Sequence, residues 1–247
     1  MRRPVRGPGA SLSRRSVCLG LVSAVLSLPL AGCGDSEPDQ RKAFIAFLKD
    51  RIVDKPGIHL PVPTDDERKS FGPYAAQFDV IADFNHTMDA AAQQTIGGFS
   101  NLMGQANSVG ALLSHKDEIV QLKDGVGKFR DALQQKLDAA NAARAALPAQ
   151  PDDLKPVYAA AFERDVSQPA ALFLEAAPVM QQTLGSLLDV IAFIDQHKGV
   201  VTVNGTMVNT SDPKLAPQLN ALLQAVNENA QKAQALFQKA QAMAYGQ

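Results

Sequence analysis

The chain has no tryptophan, only three tyrosines and two cysteines, and no acidic residue ahead of Asp35. Each shortage excludes something. Aromatics are 6% of the 247 residues, so packing must rest largely on aliphatic and small side chains, as in helical proteins rich in Ala and Gln. Cys18 and Cys33 both fall in the N-terminal segment, so the rest of the chain has no thiol. Disulfides, Cys-based metal sites and cysteine catalysis are excluded there. Basic residues are short as well once the N-terminus is set aside. Beyond residue 32 the chain carries 19 Lys and Arg against 25 Asp and Glu, a net charge of −6. Nucleic acid recognition needs a basic field, and this domain offers none.

The signatures of catalysis are missing too. His59, His86, His115 and His197 are scattered. Asp79, Asp83 and His86 stand at i, i+4 and i+7 on one predicted helix face. That is at best half a metal site, and the bland reading is a solvated stripe opposite Phe78, Ile81 and Phe84, so no metal is expected. No GxSxG elbow occurs, and Gly185-Ser186 lies mid-helix. Gly97-Gly98 and Gly104 are not followed by the Gly-Lys-Ser/Thr of a phosphate loop. Asp65-Asp66 and Asp152-Asp153 read as helix N-termini. No catalytic residue, no cofactor and no enzymatic activity are expected.

What the sequence does have is concentrated at its start. Residues 1–15 hold five arginines, and residues 17–30, VCLGLVSAVLSLPL, are an apolar run of 14. A helix that spans a bilayer needs about 20 residues, so this is a signal peptide rather than a transmembrane segment. It ends in Leu30-Ala31-Gly32-Cys33, which resembles the bacterial lipobox: cleavage between Gly32 and Cys33 leaves the cysteine as a diacylglyceryl-modified N-terminus. Ser13-Arg14-Arg15-Ser16-Val17-Cys18-Leu19 resembles a twin-arginine export signal, the alternative being two arginines that simply charge the basic region. The residue after the cysteine is Gly34, whereas an Asp there would resemble an inner-membrane retention signal. The expected location is therefore the periplasmic face of the outer membrane, with the inner membrane as the alternative. The expected organisation is a signal peptide over 1–32, an acylated Cys33 with a short tether over 33–38, and a helical domain over 39–247. Five tether residues span at most roughly 18 Å, which holds the domain near the membrane.

The mature chain reads as mainly α. Asp39 to about Asp54 predicts a first helix with Phe44, Phe47, Leu48 and Ile52 on one side. Ile58 to Pro63 is an extended loop, and Thr64 with Glu67 forms a capping box. A short helix meets Gly72-Pro73 and restarts to about Gln94, where Gly97-Gly98 should end it. Ser114 should open a long helix with the seam Ile119, Leu122, Val126, Phe129 and Leu133. Gly125 and Gly127 in it suggest either close helix packing or a break. After a linker over Ala146–Pro151, a helical pair is expected at about Asp153–Asp165 and Gln168–His197, with a kink at Pro178. Val200–Val208 reads as a hairpin around Asn204-Gly205 that packs on the helices. Ser211-Asp212-Pro213 opens a last helix to about Ala244. The sum is an elongated helical bundle with one small β-hairpin.

Asp39-Gln40-Arg41-Lys42-Ala43-Phe44-Ile45-Ala46-Phe47-Leu48, Leu60-Pro61, Phe71-Gly72-Pro73, and Asp153 to Val157 followed by Phe162 resemble the YiaF-like lipoproteins, a bacterial domain-of-unknown-function family. The Asn204-Gly205 hairpin before the last helix is similar too. The resemblance covers most of residues 33–245. It implies a lipid-anchored, mainly helical envelope protein and carries over no catalytic residues. The expected function is non-enzymatic: an interaction or scaffold module at the membrane, anchored through Cys33. Gln40, Arg41 and Lys42, beside the anchor, are the candidate contacts for an envelope protein partner. A carrier that holds a hydrophobic ligand within the bundle is the alternative.

Overall fold

A computed structural model describes residues 36–105 and 108–246. The targeting segment, Cys33 and Gly34-Asp35 of the tether lie outside them.

Helix α1 (Glu37–Leu48) starts two residues ahead of Asp39, because Pro38 suits the first turn, where its missing N–H is not needed. It continues as a π-helical turn, Lys49–Val53. Helix α2 (Asp65–Ser70) opens on the expected capping box. Glu67 N donates to Thr64 Oγ1 at 3.2 Å and Thr64 N donates to Glu67 Oε2 at 2.8 Å. A 3₁₀ turn at Gly72–Tyr74 leads into α3 (Ala75–Gln105). A short α4 (Val109–Ser114) precedes α5 (Lys116–Ala145). Next come α6 (Lys155–Phe162), a π-helical turn at Glu163–Ser167, and α7 (Gln168–Gln196). The antiparallel pair β1 (Val201–Asn204) and β2 (Met207–Thr210) leads to α8 (Ala216–Tyr245).

Three apolar clusters hold these elements. In the first, Phe47 meets Phe71 at 4.9 Å and Phe78 at 5.4 Å between ring centroids, and Phe44 meets Phe71 at 5.3 Å. The chain's scarce aromatics thus join α1, α2 and α3. The second cluster places Ile119 and Val126 of α5 against Leu184 and Ile191 of α7. Each is at most 1% exposed and contributes roughly 1.5–3 kcal/mol through burial. The third seats the hairpin, through Val201 and Val208, on Phe193, Ile194 and Leu219.

Four expectations are corrected. Helix α3 runs through Gly97-Gly98 instead of ending there: two glycines cost about 1 kcal/mol each, and Phe99 and Leu102 beyond them pack into the second cluster. Ser114 ends α4, and α5 begins at Lys116 behind His115. The expected pair at 153–197 is one continuous helical run, Lys155–Gln196, with Pro178 inside it. The hairpin turn is centred on Gly205-Thr206, one place beyond Asn204-Gly205, since Asn204 pairs with Met207. The Lys155–Gln196 run is long and apolar enough to cross a membrane. More than half of its most apolar stretch is buried inside the domain, as a bundle's central helix is.

Candidate functional site

Gln40 and Arg41 are both engaged within the domain. Arg41 Nη1 lies 3.1 Å from Glu37 Oε1 and its Nε lies 3.2 Å from Asp153 Oδ2, which fastens α1 to the start of α6. The Tyr74 hydroxyl donates to the same Glu37 carboxylate. The Gln40 side chain covers Gly72, where a Cβ would collide with it. Lys42 is exposed. The structure therefore leaves one of the three candidate contacts free of local duty. In the Asp79–Asp83–His86 stripe, Arg68 clamps Asp79 with two bonds of 2.6 and 2.7 Å. Among the described residues no group of three or more His, Cys, Asp or Glu is placed to hold a metal ion.

The two π-helical turns meet where α6 gives way to α7. In a regular helix the Asp165 carbonyl would accept from residue 169, but Pro169 has no N–H. Asn85 of α3 supplies the missing donor: its Nδ2 reaches Asp165 O at 3.1 Å and Ile81 O at 2.9 Å. Beside it, Arg164 caps the end of the first π-helical turn. It donates to Gly57 O at 3.0 Å, to Val53 O at 3.3 Å and to Lys55 O. Asp165 itself is 1% exposed, and neither carboxylate oxygen has a partner. Burial pushes its pKa up to about 7, against the pull of the Arg164 charge. It is the one strongly perturbed acid among the described residues.

Two adjoining cavities open next to this junction. The first, about 430 Å³, lies between α3, α5, the start of α7 and the 58–63 loop. Phe84, Phe129 and Phe173 line it, with Asn85, His86 and Asp89 along α3. The second, about 180 Å³, lies between α3, α7 and the second half of α8, and Ser100 is its single polar lining residue. The two share Ile96, Pro169 and Phe173, and so form one cleft. The first falls within the roughly 300–1,000 Å³ usual for a small-molecule site, and the second, smaller than that, adjoins it.

The cleft exists because α8 is pinned at both ends and under-packed between. Leu219 is buried in the third cluster at one end. At the other, Ile58 N donates to Ala244 O at 3.2 Å. Gly57 sits there at φ +77°, and a Cβ would strike the Ala244 carbonyl. Lys239 Nζ, 2.5 Å from Glu175 Oε2, adds a strut to α7. Between these fastenings α8 presents Ala233 and Ala240 to the gap, too small to fill it, and Phe237 remains 50% exposed. The sequence carried a signal for this. Along the α8 stripe Leu215, Leu219, Leu222 and Val226 give way to Ala233 and Ala240, on either side of Leu236 and Phe237.

The model of the family described as "Protein of unknown function (DUF3053)" matches residues 20–243. The chain belongs to this family. Among curated proteins it is similar to "Uncharacterized protein YiaF" of Escherichia coli strain K12, with 33% identity over 233 residues, covering 89% of this chain and 94% of that protein. The YiaF protein of Shigella flexneri matches to the same extent. No solved structure matches. Family membership brings no activity with it, so the function must be argued from the cleft.

Proposed function

We propose that this family member is a lipid-anchored protein of the cell envelope, held by acyl chains on Cys33, whose helical domain receives a hydrophobic ligand in the cleft under α8. The observation that carries the reading is the apolar gap between α3, α7 and α8, continuous with the larger cavity beside it. Each buried methylene of a bound chain contributes about 0.8 kcal/mol. Helical bundles hold ligands in this position, between helices. The work proposed is binding, not chemistry, and its setting is the membrane-proximal space that a short tether allows. A second reading, an envelope protein contact beside the anchor, draws on the exposed Lys42.

Ala240 faces the gap from α8, so Ala240→Phe should place a ring in it. Native mass spectrometry of the full chain, extracted from membranes in polymer-bounded particles, should show non-covalent lipid mass on the wild type and none on Ala240→Phe. Equal lipid on both, or none on either, sinks the carrier reading.

A further inference from the structure

The cleft is chemically lopsided, and the lopsidedness identifies one end of its ligand. The end under α8 is apolar apart from Ser100. The other end has three phenylalanines, Phe84, Phe129 and Phe173, and a carboxylate, Asp89, with His86 and Asn85 beside it. Phe129 and Phe173 meet edge to face, with centroids 4.3 Å apart and planes at 82°. No lysine or arginine lines either cavity. This follows from the helices that build it. Between Lys69 and Lys116 the chain has no Lys or Arg, so α3 carries Asp79, Asp83 and Asp89 against a single histidine, His86. Helix α7 carries Glu175, Asp189 and Asp195, again without Lys or Arg. Nearby cations are already engaged: Arg68 on Asp79, Lys239 on Glu175, and Arg164 on three backbone carbonyls.

An anionic head group would enter this end against Asp89 and without a Lys or Arg to meet it. A cation would gain from both features. Aromatic rings attract ammonium groups through their faces, and several rings beside a carboxylate are the usual surroundings of a quaternary ammonium. We propose that the cavity lined by Phe84, Phe129, Phe173 and Asp89 binds the positively charged head of a single-chain amphiphile whose apolar chain lies under α8. The inference rests on the carrier reading above and adds the charge of the head.

The test uses the full chain held in amphipol, loaded with the neutral dye N-phenyl-1-naphthylamine. The dye is displaced by dodecyltrimethylammonium, dodecyl maltoside or dodecanoate, each below its micelle concentration. The three share a chain and differ in head charge. The cation should displace the dye at about fivefold lower concentration than the maltoside, the scale of one partly exposed charge contact. Dodecanoate should need the most. Asp89→Asn should erase the cation's advantage and leave the maltoside midpoint unchanged. Equal midpoints for cation and maltoside, a lower midpoint for dodecanoate, or an unchanged cation advantage in Asp89→Asn overturns the head-group assignment alone. Failure of all three to displace the dye overturns the carrier reading, and the assignment with it.

Discussion

Asp165 concentrates the electrostatics of the domain in one side chain. Its carboxyl is buried without a hydrogen-bond partner, and burial raises its pKa from 3.8 to about 7. The folded state therefore binds this proton more tightly than the unfolded chain does. Between the two values the folded state holds more protons, so stability falls as pH rises. The contribution is present in full below about pH 4 and is lost as pH passes through about 7. A shift of this size corresponds to at most about 4 kcal/mol, at 1.36 kcal/mol per pH unit. Asp165→Asn removes the titration. Urea unfolding of both proteins from pH 4 to pH 8 should show the wild type losing stability relative to the variant as pH rises. Parallel curves would mean that the carboxyl finds a partner or water in solution. Other carboxylates act in the opposite sense. Glu67, lowered by the Thr64 amide that donates to it, and Asp195, lowered by Lys116 and Lys198, stabilise the fold above their pKa values. The difference between the two proteins isolates Asp165 from them. At this scale the sequence was legible where partners are close along the chain. Thr64 and Glu67 stand three residues apart, and the capping box formed as expected. Asp165, its neighbour Asn85 and the junction they share were not legible. They depend on Pro169 removing a donor and on a residue 80 positions away replacing it.

Among the elements, glycines separate what the chain signals locally from what packing decides. Gly97-Gly98 and Gly125 all lie inside long helices, against their propensity. Close packing was one reading of Gly125, but nothing lies within 4 Å of where its Cβ would stand. Gly127 does sit tightly, with Gln181 Nε2 at 2.8 Å from the same point. Gly125→Ala should therefore stabilise α5 by about 0.5–1 kcal/mol. For a chain of this size that raises the melting temperature by about 2–4 °C per kcal/mol. Gly57→Ala should do the reverse. It forces a left-handed backbone on alanine and drives a methyl into the α8 terminus, at a cost of roughly 1–3 kcal/mol. Thermal unfolding gives the sign of each change. Hydrogen exchange should place the loss in Gly57→Ala at the last turns of α8. Faster exchange spread evenly over the domain would show that the loop does not hold that end. Helix existence and the hairpin were legible from periodicity and from Asn204-Gly205. The joins between elements were not, since the continuity of Lys155–Gln196 and of α3 through its glycines depends on burial of the residues beyond each join.

For the whole molecule, the start of α1 and the cleft lie at separate levels. Arg41 bonds Asp153 near the start of α1, and the π-helical turns that follow α1 and α6 pack together, so the two helices run alongside in the same direction. The cleft begins at Pro169, sixteen residues beyond Asp153. At 1.5 Å per residue that is about 24 Å along the helix axis. The start of α1 and the cleft are thus a helix length apart within the domain. Under the proposed acylation of Cys33, removing the lipid should change where the protein is held and leave what it binds unaltered. Cys33→Ser tests both halves at once. In cells fed an alkynyl fatty acid, the variant should lose the label and retain residues 1–32, visible as added mass. In amphipol its dodecyltrimethylammonium midpoint should match the wild type within about twofold, since a methyl-sized perturbation in the cleft would already shift it by more, at about 0.8 kcal/mol per CH₂. Retained labelling would show that Cys33 is not the anchor. A lost label with a markedly lower midpoint would show that the protein's own acyl chain folds back into the cleft, so that anchor and ligand compete for one site.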